Sequence, residues 1–316
     1  MCRSLFVTAF SATALFAVSA QAFDWPQAET AAAPEFTVGL GYLDTRANER
    51  VYDAAGNQIS RLIWSSDAQV LNLGVRTQTE SGMTVRGRAQ IGLGGNSDMV
   101  DYDWSFWSDG FGADQWSDRS IHPDTRLERY IDMDVALGRD YQMESGARVN
   151  LHGGFTWTSV KWSARGGSYV YSEWGFRDEE GDFPDGVRGI TYAQSLPTLY
   201  AGASVTQTYG AWTLNGALRG GFAVNAQSTD NHWQRDLRFE ERAGVMPYIG
   251  AALRGDYALN DVSAIYVGVE YAQHFNTKTD VTVYDEPTGA RLVRVNDGGG
   301  MDLRRIGVEA GAVLRF

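Results

Sequence analysis

The chain has 316 residues, with 27 Lys and Arg against 39 Asp and Glu and a formal net charge of −12. That balance argues against nucleic acid as a partner, which calls for a basic face, and suits a cationic partner or substrate. The length allows one large domain or two small ones. The single cysteine, Cys2, excludes disulfide staples, so stability has to come from the fold itself.

Residues 1–22 read as a secretory signal. Arg3 supplies the basic start, Leu5 to Val18 the apolar run, and Ala20-Gln21-Ala22 a small-x-small cleavage site after Ala22. Cys2 precedes the apolar run, so it is not placed as a lipoprotein cysteine. The mature chain is then expected to form one domain over 23–316, with no internal repeat or linker. No later apolar run approaches the roughly 20 residues of a spanning helix. Barrel strands escape that test, because they hide their apolar face by alternation.

Residues 23–33 (FDWPQAETAAA) read as a loose lead. From Glu35 the chain alternates: Phe36, Val38, Leu40 and Tyr42 share one face, Thr37, Gly39 and Gly41 the other. Period two means strand. The same rhythm returns in Val70 to Thr79, Val85 to Leu93, Leu127 to Leu137, Val149 to Phe155, Trp212 to Val224 and Ile265 to Tyr271. Short turns fall at Glu80-Ser81-Gly82, Met143 to Gly146, Thr208-Tyr209-Gly210 and Leu259-Asn260-Asp261. Long polar segments, read as loops, fall around 46–58, 96–124, 164–188, 226–243 and 276–300.

Short and long connections alternate, and ten strands fit between them. The fold class is therefore all-β: a ten-stranded antiparallel up-and-down transmembrane β-barrel with long extracellular loops. The last strand alternates from Ile306 to the terminal Phe316, and an aromatic end of this kind resembles the outer-membrane assembly signal of bacterial barrels. The alternative is a soluble β-sandwich or lipocalin-like barrel. The signal, the terminal Phe316 and the alternating loop lengths favour the membrane barrel.

Two short clusters could carry chemistry. Asp101 and Asp103 sit in an aromatic, Gly-rich stretch, and Asp230-Asn231-His232 follows about 130 residues later. In a strand, residues i and i+2 project to the same face. Each pair is then side by side, where a strand meets a long loop. Close carboxylates repel, so one tends to hold a proton. A carboxylate beside a histidine orients the imidazole for general-base work. Either cluster alone is more often solvated surface. Calcium is not favoured, because the acidic loops lack regular ligand spacing. Zinc is not favoured either, because His122, His152, His232 and His274 show no ligand pairing. No metal is expected.

Several longer stretches resemble one family: ERVYD at 49–53, GGNSDMVDYDW at 94–104, HPDT at 122–125, ARGGSYVYSEWGFRDEEGDFPDG at 164–186 and TDNH at 229–232. On these, from about Asn48 to the C-terminus, the chain resembles the omptins, ten-stranded outer-membrane proteases of Gram-negative bacteria. The resemblance implies an extracellular groove in which an Asp-His dyad and an Asp pair activate water on opposite sides. By motif match the dyad is Asp230 and His232, and the pair is Asp101 and Asp103. His232 is then the general base and Asp230 its orienter, while Asp101 and Asp103 position the water and help stabilise the tetrahedral intermediate.

The resemblance also implies cleavage next to basic residues, in agreement with the acidic balance. Glu49 matches an acid that receives the basic side chain before the scissile bond, and Asp118 an acid beyond it. A third family acid is replaced here by Ser228. Losing one partner of a buried charge contact costs about 2–5 kcal/mol, so selection for arginine is expected to weaken. Ser120 and His122 lie near the groove by family position, with solvated-loop roles equally open.

The family needs lipopolysaccharide as an activator. Its lipid contacts come from a Tyr-x-Glu-x-Arg pattern, where this chain has Phe155, Trp157 and Ser159, leaving Lys161 and Arg165 as the nearby cations. The expected partners are therefore peptides or proteins with basic residues and the outer-membrane lipid. The other reading of the same fold is a catalytically silent barrel, an adhesin or small porin. Retention of both catalytic spacings speaks against it.

Overall fold

The computed structural model describes residues 34–108 and 110–316, so the expected signal at 1–22 and the lead at 23–33 lie outside the described residues. Ten strands follow one another: β1 (Glu35–Tyr52), β2 (Gln58–Gln78), β3 (Met83–Asp103), β4 (Asp118–Gln142), β5 (Arg148–Tyr171), β6 (Glu179–Tyr209), β7 (Trp212–His232), β8 (Leu237–Asn260), β9 (Ser263–Asp285) and β10 (Arg291–Arg315). Each pairs antiparallel with its neighbour in sequence, and β1 pairs with β10, closing the ring. Closure removes both sheet edges, a condition for spanning lipid. At the seam Glu35 stands opposite Arg315 with an ion pair of 3.0 Å, and Phe316 packs edge-on against Phe36.

The long polar segments turn out to be mostly strand. The connections at that end shrink to residues 53–57, 104–117, 172–178, 233–236 and 286–290. Strands of 18 to 31 residues are about twice what a bilayer needs. Their outer halves lose the apolar-polar alternation because neither face meets lipid, while the ladder hydrogen bonds continue.

The lower half carries an apolar belt that faces outward. On β9, Ile265, Val267 and Val269 are about half exposed, whereas the intervening Tyr266 is 3% exposed. Exposed Tyr209, Trp212 and Tyr257 add an aromatic girdle near the short turns. The polarity is inverted relative to a water-soluble fold, with charged groups inside. Asp132 accepts from Thr158 Oγ1 at 2.7 Å and pairs with Arg88 and Arg305, and Arg88 also pairs with Glu270. Arg219 reaches Asp134 at 3.2 Å. Removing one member of such a buried pair costs about 3–5 kcal/mol.

Above this network an aromatic and aliphatic layer crosses the lumen, with a few buried polar groups such as Ser66, which accepts from Trp162 Nε1. Trp64 stacks with Trp162 and Tyr192, centroids 6.1 and 5.7 Å apart, and Leu43, Met99, Met246, Met301 and Leu303 fill the space around them. Aromatic pairs of this kind add about 0.5–1.5 kcal/mol beyond their buried area. This packing forms a floor, and the loop ends of the strands stand above it as the walls of a groove.

Candidate active site

Two irregularities aim the acidic residues into that groove. Low on β3 the even-numbered side chains point inward, as buried Thr84 and Gln90 show, while Leu93 is exposed. Continued unbroken, that alternation would turn Asp101 and Asp103 to the outside. Instead β3 carries one extra residue against β2 between the pairs Gln69↔Gly94 and Val70↔Gly92. Gly94 takes φ +126 there, a conformation that favours glycine, and a Cβ on Gly95 would lie 2.0 Å from the Asp67 carbonyl oxygen. Past the bulge the odd residues point inward, beginning with Met99 at 0% exposure.

Strand β7 repeats the device. Phe222 and Val224 are exposed and Ala223 is buried, then Asn225 adopts φ +54. One extra residue falls on β7 between its pairings with Ser195 and Thr198 of β6. Ala226, Ser228 and Asp230 are then buried even-numbered residues. Asparagine tolerates this left-handed geometry better than most side chains. Both expected pairs therefore face the groove, on strands four places apart in one direction around the ring and six in the other.

His232 Nε2 lies 2.7 Å from Asp230 Oδ2, and the ring meets Phe239 edge-on at 5.2 Å. The other ring nitrogen is left for a water or substrate. Asp230 is 2% exposed, and its second oxygen, Oδ1, is buried with no hydrogen-bond partner. Across the groove, burial holds the Asp101 carboxyl well above the usual carboxylate range, and the charges of Asp103 and Asp230 push it further up. Asp103 is also raised, chiefly by burial, with Asp118 adding and Ser60 and His232 opposing. The two pairs thus sense each other across the groove: Asp230 acts on Asp101, and His232 on Asp103.

Glu49 is 3% exposed on β1, directed inward, and burial with the charges of Asp230, Glu241 and Asp101 holds it well above its ordinary range. Ser228 is likewise buried, and its hydroxyl donates to Glu241 Oε2 at 3.1 Å. Asp118 pairs with Asp103 in register. Its two oxygens accept from the Ser117 hydroxyl at 2.6 Å and the Ser172 amide at 2.8 Å, tying the loop at 104–117 to the one at 172–178. Arg177 strengthens that tie, with its guanidinium 3.4 Å from the Trp116 ring centroid.

Ser120 and His122 are not solvated. Both are under 5% exposed, hydrogen-bonded to each other at 3.0 Å, and His122 stacks on Phe183. His122 contacts the Gly166 carbonyl oxygen through Nδ1, and burial lowers its pKa. The HPDT and ARGGSY stretches are therefore packed against one another behind the groove. Two acidic groups in the site escaped the sequence reading. Tyr171 has its phenol raised by burial and by Asp101, Asp103 and Asp118. Glu241 is 2% exposed beneath Asp230. Tyr171 lies within the 164–186 stretch but nothing in the motif singles it out, and Glu241 lies in no motif; the pairing of Ser228 with Glu241 exists only in the register of β7 on β8. Among the described residues, no group of three or more His, Cys, Asp and Glu has metal-binding geometry.

Comparison with known proteins agrees with this architecture. The chain matches the Omptin family over residues 32–316. It is 29% identical over 286 residues to the outer membrane protease OmpP of Escherichia coli (strain K12), with 88% of this chain and 89% of that one covered. It is 27% identical over 286 residues to the plasminogen activator of Yersinia pestis, with 89% of each covered. The crystal structure of the outer membrane protease OmpT from Escherichia coli matches with a TM-score of 0.82 and 26% identity, covering 90% of this chain and 97% of that one. The chain belongs to the omptin family, the proteases of the bacterial outer membrane.

Proposed function

We propose that this protein is an endopeptidase that cuts next to basic residues in a groove on the extracellular side, with water activated by Asp230 and His232 opposite Asp101 and Asp103. The observation that carries the reading is geometric: His232 Nε2 lies 2.7 Å from Asp230 Oδ2, and the bulges on β3 and β7 turn both pairs to the inner face. A water between them meets a base on one side and a proton-bearing carboxyl on the other. His232 takes a proton from the water as its oxygen bonds to the scissile carbonyl carbon. The raised Asp101 donates a hydrogen bond to the developing oxyanion. The intermediate collapses with rupture of the C–N bond, and His232 returns the proton to the leaving amine. No covalent enzyme intermediate forms. Asp230, 2.7 Å from the ring, orients His232 and balances the imidazolium charge.

Glu49 is proposed to bind the basic side chain before the scissile bond. The acidic composition supports a cationic substrate. Lipopolysaccharide is the proposed activator. The expected lipid strand offers little, since Ser159 is buried and Trp157 Nε1 donates to Ser195. Arg129 stands opposite Lys161 in register, with Arg126 exposed nearby, so this outer wall of β4 and β5 is the proposed phosphate contact. Arg165 is half-buried and donates to the Gly186 carbonyl oxygen. A porin would need an open lumen, which the network around Asp132 and the stack around Trp64 fill.

The test uses the refolded protein and internally quenched peptides that differ only in Arg or Gln before the scissile bond, each with and without lipopolysaccharide. Cleavage of the Arg peptide, stimulated by the lipid, is expected. No cleavage under any lipid condition would overturn the reading.

A further inference from the structure

Glu241 is a buried acid that the mechanism above does not use. It projects from β8 directly opposite Ser228 of β7, and both are under 4% exposed. Ser228 Oγ and, from β9, Thr279 Oγ1 each donate to its Oε2 at 3.1 Å. On β10 a Cβ at Gly299 would lie 2.5 Å from its Oε1, so the glycine leaves room for the carboxyl. Glu49 reaches the same place from β1. These strands follow one another around the ring, so Glu49, Asp230 and Glu241 share one stretch of wall.

Three acids gathered in a buried place need an explanation. Burial and mutual repulsion raise Glu49 well above its ordinary range and push Glu241 up to about 7. Glu49 Oε2 and Asp230 Oδ1 are buried and meet no donor from any other side chain, so only a proton kept on one of the two acids links them until a cation arrives. A guanidinium is a donor of that kind: planar, always charged, and able to serve two carboxylates at once.

We propose that Glu241 and Glu49 together receive the cationic side chain that precedes the scissile bond, Glu241 supplying from the neighbouring strand the carboxylate that is absent at Ser228. The inference rests on the basic-residue reading above. It reverses the expectation drawn from Ser228 alone: the acid has moved one strand over, and selection for arginine stays strict. Serine is the complement of the move, since a small hydroxyl both holds Glu241 and leaves space above it.

The experiment compares kcat/KM for the Arg and Gln peptides in the parent, in Glu241→Gln and in Ser228→Asp/Glu241→Gln, with barrel folding checked by heat-modifiable gel migration. The Arg-over-Gln ratio is expected to fall about 100-fold in Glu241→Gln and to recover in the double variant, where the carboxylate returns on β7. An undiminished ratio in folded Glu241→Gln overturns the inference and leaves the proposed function standing. Equal loss on both peptides also overturns it, because Glu241 would then act through Asp230. A parent that cuts both peptides equally overturns the basic-residue reading itself, and this inference with it.

Discussion

His232 Nε2 and Asp230 Oδ2 are 2.7 Å apart, with the two side chains leaving the inner face of β7 two residues from each other. The imidazole is thereby fixed in orientation, and its remaining nitrogen is available to water. If the two act as one unit, their losses do not multiply. Asp230→Asn and His232→Ala should each lower kcat by roughly 10²–10⁴-fold, and the double variant should be no worse than the poorer single one. Steady-state kinetics on the Arg peptide checks this. A double variant that loses the product of the two factors would show that the residues work independently.

The Asp pair should govern the alkaline limb of the pH profile. Asp101 is raised by burial first, then by Asp103 and Asp230, so it keeps its proton to higher pH than a free carboxyl does, and that proton is the one proposed to serve the oxyanion. Activity then falls as pH rises through the pair's titration. The Ser60 hydroxyl lies 3.5 Å from Asp101 Oδ1 and favours the ionised form of both acids. Ser60→Ala withdraws that support, so the protonated form gains and the alkaline limb of kcat/KM moves to higher pH. A limb that stays in place, or moves down, would remove the Asp pair from that role.

Glu241 also sets a stability signature. Its pKa rises from 4.5 to about 7, mainly by burial. A raised acid contributes stability that is complete below the unfolded value and is lost as pH climbs through the folded one. At pH 8 the parent holds this buried carboxylate ionised, a cost that a neutral amide in its place does not bear. Glu241→Gln should therefore unfold at a higher temperature than the parent at pH 8, with the gap closing near pH 5. Thermal unfolding in detergent at the two pH values measures it. A gap that is the same at both would mean that Glu241 does not titrate in the folded barrel.

Much of the fold is legible in the sequence because lipid enforces alternation. Phe36 to Tyr42 and Ile265 to Tyr271 had to be apolar on one face, and the short turns count the strands. Above the bilayer that constraint ends, which is why polar stretches such as 96–103 and 226–232 read as loops although they are strands. The two acidic pairs stand out in the sequence by their spacing and the family resemblance. Their direction does not, since it depends on single-residue bulges at Gly94 and Asn225 that reverse the alternation. Glu241 was invisible for another reason. Its partners Ser228, Thr279 and Glu49 come from three other strands, and only register brings them together.

Asp101 and His232 are proposed as two sides of one water-activating site. The most direct measurement is turnover of the Arg peptide by refolded Asp101→Asn and His232→Ala beside the parent, with lipopolysaccharide present and folding verified for each. Both variants are expected to remain folded barrels, each losing roughly 10²–10⁴-fold in kcat. Parent-like turnover in either folded variant would contradict the proposal.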